Sequence, residues 1–202
     1  MTGQARRPRW AGFALVEVIV ALAVLLILAA VALPQIAGYL DQKRIEQTAE
    51  QLVIVRDALF KTGTGSIAFR QAVSASAGRL SQLTIPITTS DRDICGNTYN
   101  TGDINRWDDA GPYVNFVIDA TTGMATPIGL ANNAMVRFND GGTIKSRITW
   151  TNASLSDAQA LDLHVDGVVN YNAGTVRWTP QNGVNGVVTT LFYDVVIDGT
   201  CA

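Results

Sequence analysis

From residue 13 to residue 33 every position is apolar except Glu17. A helix rises about 1.5 Å per residue, so this stretch is long enough to cross a hydrocarbon core of about 30 Å. Pro34 follows directly, and Gly38 comes one turn later. Proline removes one backbone hydrogen bond and crowds the preceding turn, which predicts a kinked continuation of the helix. From Asp41 the pattern changes. Ile45, Ala49, Leu52, Val53 and Leu59 recur at helical spacing among Asp41, Lys43, Arg44, Glu46 and Glu50, which predicts an amphipathic second half with its apolar stripe on a sheet. The run KTGTG at 61–65 ends the helix.

The remaining pattern is shorter in period. A brief helix over 67–73 and an extended arm to Pro86 are expected, then an irregular surface loop over 90–110, rich in turn formers and acids and pinned at Cys95. Residues 113–118 (YVNFVI) alternate and lead into a turn at Thr121-Thr122-Gly123. Residues 134–138 and 143–150 flank Asn139-Asp140-Gly141-Gly142, a hairpin signal. Ser156 and Gln159 stand at the spacing of a capping box, opening a helix that passes Asp162 and Asp166-Gly167 into a turn. A short strand at 174–177 and a long β-rich run at 186–197 (GVVTTLFYDVVI) complete the chain. The sum is an α+β fold: a long first helix, apolar then amphipathic, packed on an antiparallel sheet.

Charge refines the reading of the first stretch. Arg6, Arg7 and Arg9 precede it and no acid lies before Glu17; the positive-inside rule therefore keeps the first dozen residues in the cytoplasm and exports the rest. An ionised carboxylate within a membrane span costs about 2.5–3.5 kcal/mol on insertion scales, so Glu17 reads as functional. A secretory signal peptide ending near Ala30-Val31-Ala32 leaves the length and the charge unexplained. A plain anchor leaves Glu17 unexplained, and Pro8 and Arg9 depart from a twin-arginine signal on Arg6-Arg7.

Gly12-Phe13-Ala14-Leu15-Val16-Glu17, with Pro34 about twenty residues on, resembles the processing site of type IV pilins and the pseudopilins of type II secretion. Ala14, Val16 and Val18 are mild departures from the residues usual there. The resemblance covers about the first quarter of the chain. It implies a leader of residues 1–12 removed by a prepilin peptidase between Gly12 and Phe13, with Phe13 then N-methylated. It further implies a transmembrane and assembly helix over 13–40, in which Glu17 and Pro34 serve assembly, and a pilin-like head over 41–202. The implied partners are the peptidase, other pilin or pseudopilin subunits, and an inner-membrane platform with a cytoplasmic ATPase. The implied location is a single pass of the inner membrane with the head outside the cytoplasm, and later a periplasmic or extracellular fibre. The large head suggests a minor subunit. A membrane-anchored or tip-located adhesin is the alternative. The new amine on Phe13 would lie four residues from Glu17, so the amine of one subunit can neutralise the glutamate of another in an apolar bundle.

Composition narrows the chemistry. Lys and Arg total 15, three of them in the leader, which leaves 12 against 17 acids; this acidic balance gives nucleic-acid binding no support. Cys95 and Cys201 are the two cysteines. An exported location permits one disulfide, and the resemblance implies that pairing, which ties the carboxy-terminal region to the body. His164 is the single histidine, so no two-histidine site forms within one chain, and no Walker loop, dinucleotide fingerprint or CxxC occurs. The expectation is a protein without enzymatic activity, cofactor or metal. Asp162 and Asp166 share a helix face and are the one conceivable Ca²⁺ pair, but too little of a ligand set accompanies them, and capping a turn is the preferred role. Trp107, Trp150 and Trp178 are expected in packing rather than on a glycan-binding face.

Overall fold

The computed structural model describes residues 14–60, 68–73, 75–151, 153–179, 188 and 190–197. Helix α1, Ala14–Phe60, is followed by α2, Phe69–Val73, a 3-10 turn at Leu80–Leu83, and α3, Thr101–Ala110. Strands β1 (Met124–Thr126), β2 (Gly129–Ala131), β3 (Val136–Asp140) and β4 (Thr143–Thr151) come next, then α4 (Leu155–Asp166), β5 (Val176–Thr179) and β6 (Thr190–Val196). The chain divides into two units, Met1–Lys43 and Arg44–Ala202.

The described part of the first unit is helix throughout and includes Pro34. Its apolar side chains lie open on every side, from Leu15 to Leu40, with Leu26 71% exposed. A helix apolar all round has no polar face for water and is built for a non-aqueous surround. By length and composition it can cross a membrane. At the end of this unit the Lys43 ammonium stands 5.7 Å from the Tyr39 ring centre.

In the second unit α1 becomes one-sided. Ile45, Thr48, Ala49, Leu52, Val55, Ala58 and Leu59 are buried, steps of three and four that keep one face inward. Thr48 is tolerated there because its hydroxyl donates to the Arg44 carbonyl (2.8 Å). Val53 was expected in the stripe but is 40% exposed; it lies a quarter-turn off, and Val55 fills the inward position. The stripe joins a single core with Phe69, Leu80, Leu83, Ile118, Met124, Ile148, Trp150, Leu161, Leu191 and Tyr193.

The sheet is antiparallel, in the order β1-β2-β4-β6-β5, with β3 also on β4. β4 and β6 form its spine, registered from Lys145 opposite Val196 to Thr151 opposite Thr190. Ser146, Ile148 and Trp150 point inward from β4 and Leu191, Tyr193 and Val195 from β6, all buried, as the two-residue period of a strand demands. The β3–β4 hairpin falls on the expected signal. Gly141 and Gly142 have φ of 59° and 94°, the two positive values a type I′ turn requires. The Asn139 side chain accepts from Gly142 N–H (2.8 Å).

Four local expectations are corrected. Residues 101–110 form α3 rather than an irregular loop: Asn100 Oδ1 accepts from Asp103 N–H (3.0 Å) while Asp103 Oδ2 accepts from Asn100 N–H (3.1 Å), and Trp107 anchors the helix through an indole N–H to Gln82 O (2.8 Å). The alternating run 113–118 is no strand. Val114 and Ile118 are buried and Val117 is 87% exposed, but among the described residues no strand pairs with the run. The arm expected before Pro86 coils into the 3-10 turn instead. Helix α4 is capped by Ser154, whose hydroxyl accepts from Asp157 N–H (3.0 Å), two residues before the expected Ser156.

Candidate functional site

Glu17 lies in the first turn of the described helix α1, exposed together with Leu15, Val16, Val18, Ile19 and Val20. It is the one charged side chain between Leu15 and Leu40, and from Leu15 to Leu33 the one polar one. An outward carboxylate on such a surface offers a single fixed electrostatic contact to whatever covers the helix. Pro34 is inside the same helix. Gly12 and Phe13 lie outside the described residues.

The outward face of the sheet gathers charges that the sequence reading passed over. Arg147 of β4 makes a two-pronged pair with Asp194 of β6, Nε to Oδ1 at 2.7 Å and Nη2 to Oδ2 at 2.8 Å. Its guanidinium carbon sits 4.3 Å from the ring centres of both Phe138 and Phe192. Arg177 of β5 bridges Asp194 (3.4 Å) and Asp140 (2.6 Å), and Lys145 reaches the same Asp140 oxygen (2.8 Å). These two cations hold the Asp140 carboxyl down at about 2. The available clue was the alternation of β4 and β6, which sends Lys145, Arg147, Phe192 and Asp194 to one face.

Asp162 and Asp166 are brought together at the end of α4. Asp162 is fully buried; its Oδ2 accepts from Asn170 N–H at 2.6 Å. Asp166 Oδ2 accepts from Thr175 N–H (2.7 Å) and Val176 N–H (2.8 Å). Gly167 ends the helix in the left-handed conformation, φ 76°, where a glycine C-cap is favoured. Burial first, and then the neighbouring Asp166 carboxylate, raise the Asp162 carboxyl to about 6. The donor set does not suit a cation: backbone N–H groups aim their positive ends at the oxygens a metal would need. Among the described residues no group of three or more His, Cys, Asp or Glu stands at metal-binding spacing.

Other candidates resolve simply. Cys95 is disulfide-bonded; Cys201 lies outside the described residues. Trp107, Trp150 and Trp178 are buried and serve packing. His164 is exposed on α4. A cleft of about 370 Å³ is walled by Ile85, Pro112, Val114, Phe116 and Ile118, and the one carboxylate on it, Asp119, is engaged by Thr121 and Thr122 N–H. Comparison with family models, curated proteins and solved structures finds no match for this chain.

Proposed function

We propose that this chain is a structural subunit, a prepilin cut between Gly12 and Phe13, N-methylated on Phe13 and assembled into a type IV pilus or a type II secretion pseudopilus. The observation that carries the proposal is Glu17, a lone carboxylate exposed on a helical stretch, 15–33, that is otherwise apolar on every side. Lipid alone gives that charge no partner, whereas a bundle of processed chains supplies the amine of Phe13 from a neighbour. The long apolar helix and the α+β head support the same reading. In it the chain does no chemistry, enters the inner membrane with residues 1–12 in the cytoplasm, and is a minor subunit. A prepilin peptidase, a membrane platform with its ATPase, and other subunits act on it.

Two substitutions separate processing from assembly. In cells carrying the cognate peptidase, mass spectrometry should place the mature start at Phe13. Gly12→Leu should leave the chain uncut in the membrane. Glu17→Gln should be cut normally yet fall out of sheared or cross-linked fibres by about a hundredfold, the cost of stranding one member of a buried pair. Wild-type incorporation of Glu17→Gln, or a mature start at Leu33, overturns the proposal.

A further inference from the structure

We infer that Asp162 and Asp166 share one proton and together form a pH-sensitive latch on the loop between α4 and β5. Three geometric features converge on this. First, Asn170, Thr175 and Val176 donate their N–H groups to these two carboxylates, so the carboxyls tie both halves of the loop, alongside the bonds from Trp178 N–H to Tyr171 O, Asp194 N–H to Thr175 O and Arg177 Nε to Gly174 O. Second, Asp162 Oδ1 is buried with no hydrogen-bond donor among the described residues. A buried carboxylate oxygen without a donor is costly, and a proton placed there converts it into a donor. Third, Asp166 stands one helical turn after Asp162 on the same face of α4, and both carboxylates reach into the same loop. Two carboxylates brought to one site repel unless one of them holds a proton. The fit is close: Gly174, at φ 96°, lies so near the Asp166 carboxylate that a Cβ there would collide with it.

The charged surroundings do not relieve the pair. On Asp162 the acting groups are the Asn170 N–H and Asp166, with burial the largest influence. Asp166 faces Tyr193 of β6, whose hydroxyl is held protonated chiefly by burial and is also influenced by Arg56 and Asp57 of α1. On β5, Arg177 is committed to Asp140 and Asp194 on the other face of the sheet. Within α4, Asp157 pairs with Arg44 and His164 is exposed. Loss of the shared proton therefore sets two negative charges against each other, and the segment they hold must loosen. That segment displays Val168, Val169 and Tyr171 to solvent, with the Tyr171 ring resting on Trp178 at 6.3 Å.

The test is hydrogen exchange by mass spectrometry on the full-length chain in detergent micelles, corrected for the intrinsic pH dependence of exchange. Moving from pH 5 to pH 8 should lower protection over 168–176 by roughly tenfold, as linkage requires when the closed form holds its proton more tightly than the open one. Asp162→Asn keeps an acceptor for Asn170 and supplies a permanent donor to Asp166, so its protection should be flat with pH. Asp166→Asn removes the opposing charge, so the fall should move to lower pH; this variant keeps the proposal testable should Asp162→Asn fail to fold. Flat protection in the wild type overturns the latch. So does a pH-dependent Asp162→Asn, which would implicate His164 or another group. Restoration of protection at pH 8 by Ca²⁺ overturns it as well, in favour of a cation site.

Discussion

Asp194 shows how much a single side chain can organise. Its side chain has no exposed surface, yet it lies on the outward face of the sheet, paired there with Arg147 and Arg177. A carboxylate in that position is tolerable because Arg147 meets it with two parallel N–H donors, the geometry a guanidinium fork provides. Asp194→Ala would leave Arg147 held between Phe138 and Phe192 without its counter-charge, and would take one of two carboxylates from Arg177. The expected loss is roughly 3 kcal/mol, in the range for breaking a buried pair from one side. Chemical denaturation followed by tryptophan emission measures it. Asp194→Asn should cost less, because its shape and one acceptor survive.

At the level of elements, α3 is the one whose stability rests most on its ends. It contains few apolar residues and buries only Trp107 and Asp103. The reciprocal bonds between Asn100 and Asp103 therefore carry much of its start. Asn100→Ala should destabilise the protein by about 1 kcal/mol, as loss of an N-cap does, with increased exchange confined first to Thr101–Ala110. The same element explains what a sequence can and cannot disclose. The β3–β4 hairpin was legible because two adjacent glycines after Asn-Asp answer a local demand for positive φ. The buried stripe of α1 was legible because its period repeats over four turns. Helix α3 was not, since its decisive contact is Trp107 to Gln82, 25 residues away, and its capping acid was read as loop composition. Residues 113–118 misled for the opposite reason: alternation reports which side chains face inward, and Val114 and Ile118 do, but it is silent on whether a neighbouring strand exists. Of the candidate site, Glu17 was plain from sequence. The Asp162–Asp166 contact was visible only as a shared helix face, and the burial that gives it meaning depends on the β5–β6 end of the sheet.

For the whole molecule, two carboxyls set opposite slopes in the dependence of stability on pH. Asp162 is raised from 3.8 to about 6. Between these values the folded chain holds a proton that the unfolded chain has lost, so stability falls as pH rises from about 4 to about 6. Asp140 is lowered to about 2. The folded chain then stays ionised where the unfolded chain takes up a proton, so its contribution is present above 3.8 and is lost as pH falls toward 2. Taken together the two groups favour the fold most near pH 4. Denaturation midpoints across pH 3–7 should show the falling limb above pH 4 in the wild type and a shallower one in Asp162→Asn.

The first unit, apolar on every side of its helix, sets a different kind of limit on the molecule: a limit on its possible routes. Moving that surface into water exposes more than a dozen large apolar side chains at about 1.5–3 kcal/mol each, a barrier of tens of kcal/mol. No thermal fluctuation crosses such a barrier in useful time. In the assembly proposed above, whatever takes the helix out of lipid must therefore already offer it another apolar medium at the membrane surface, so that departure from one and entry into the other become a single event.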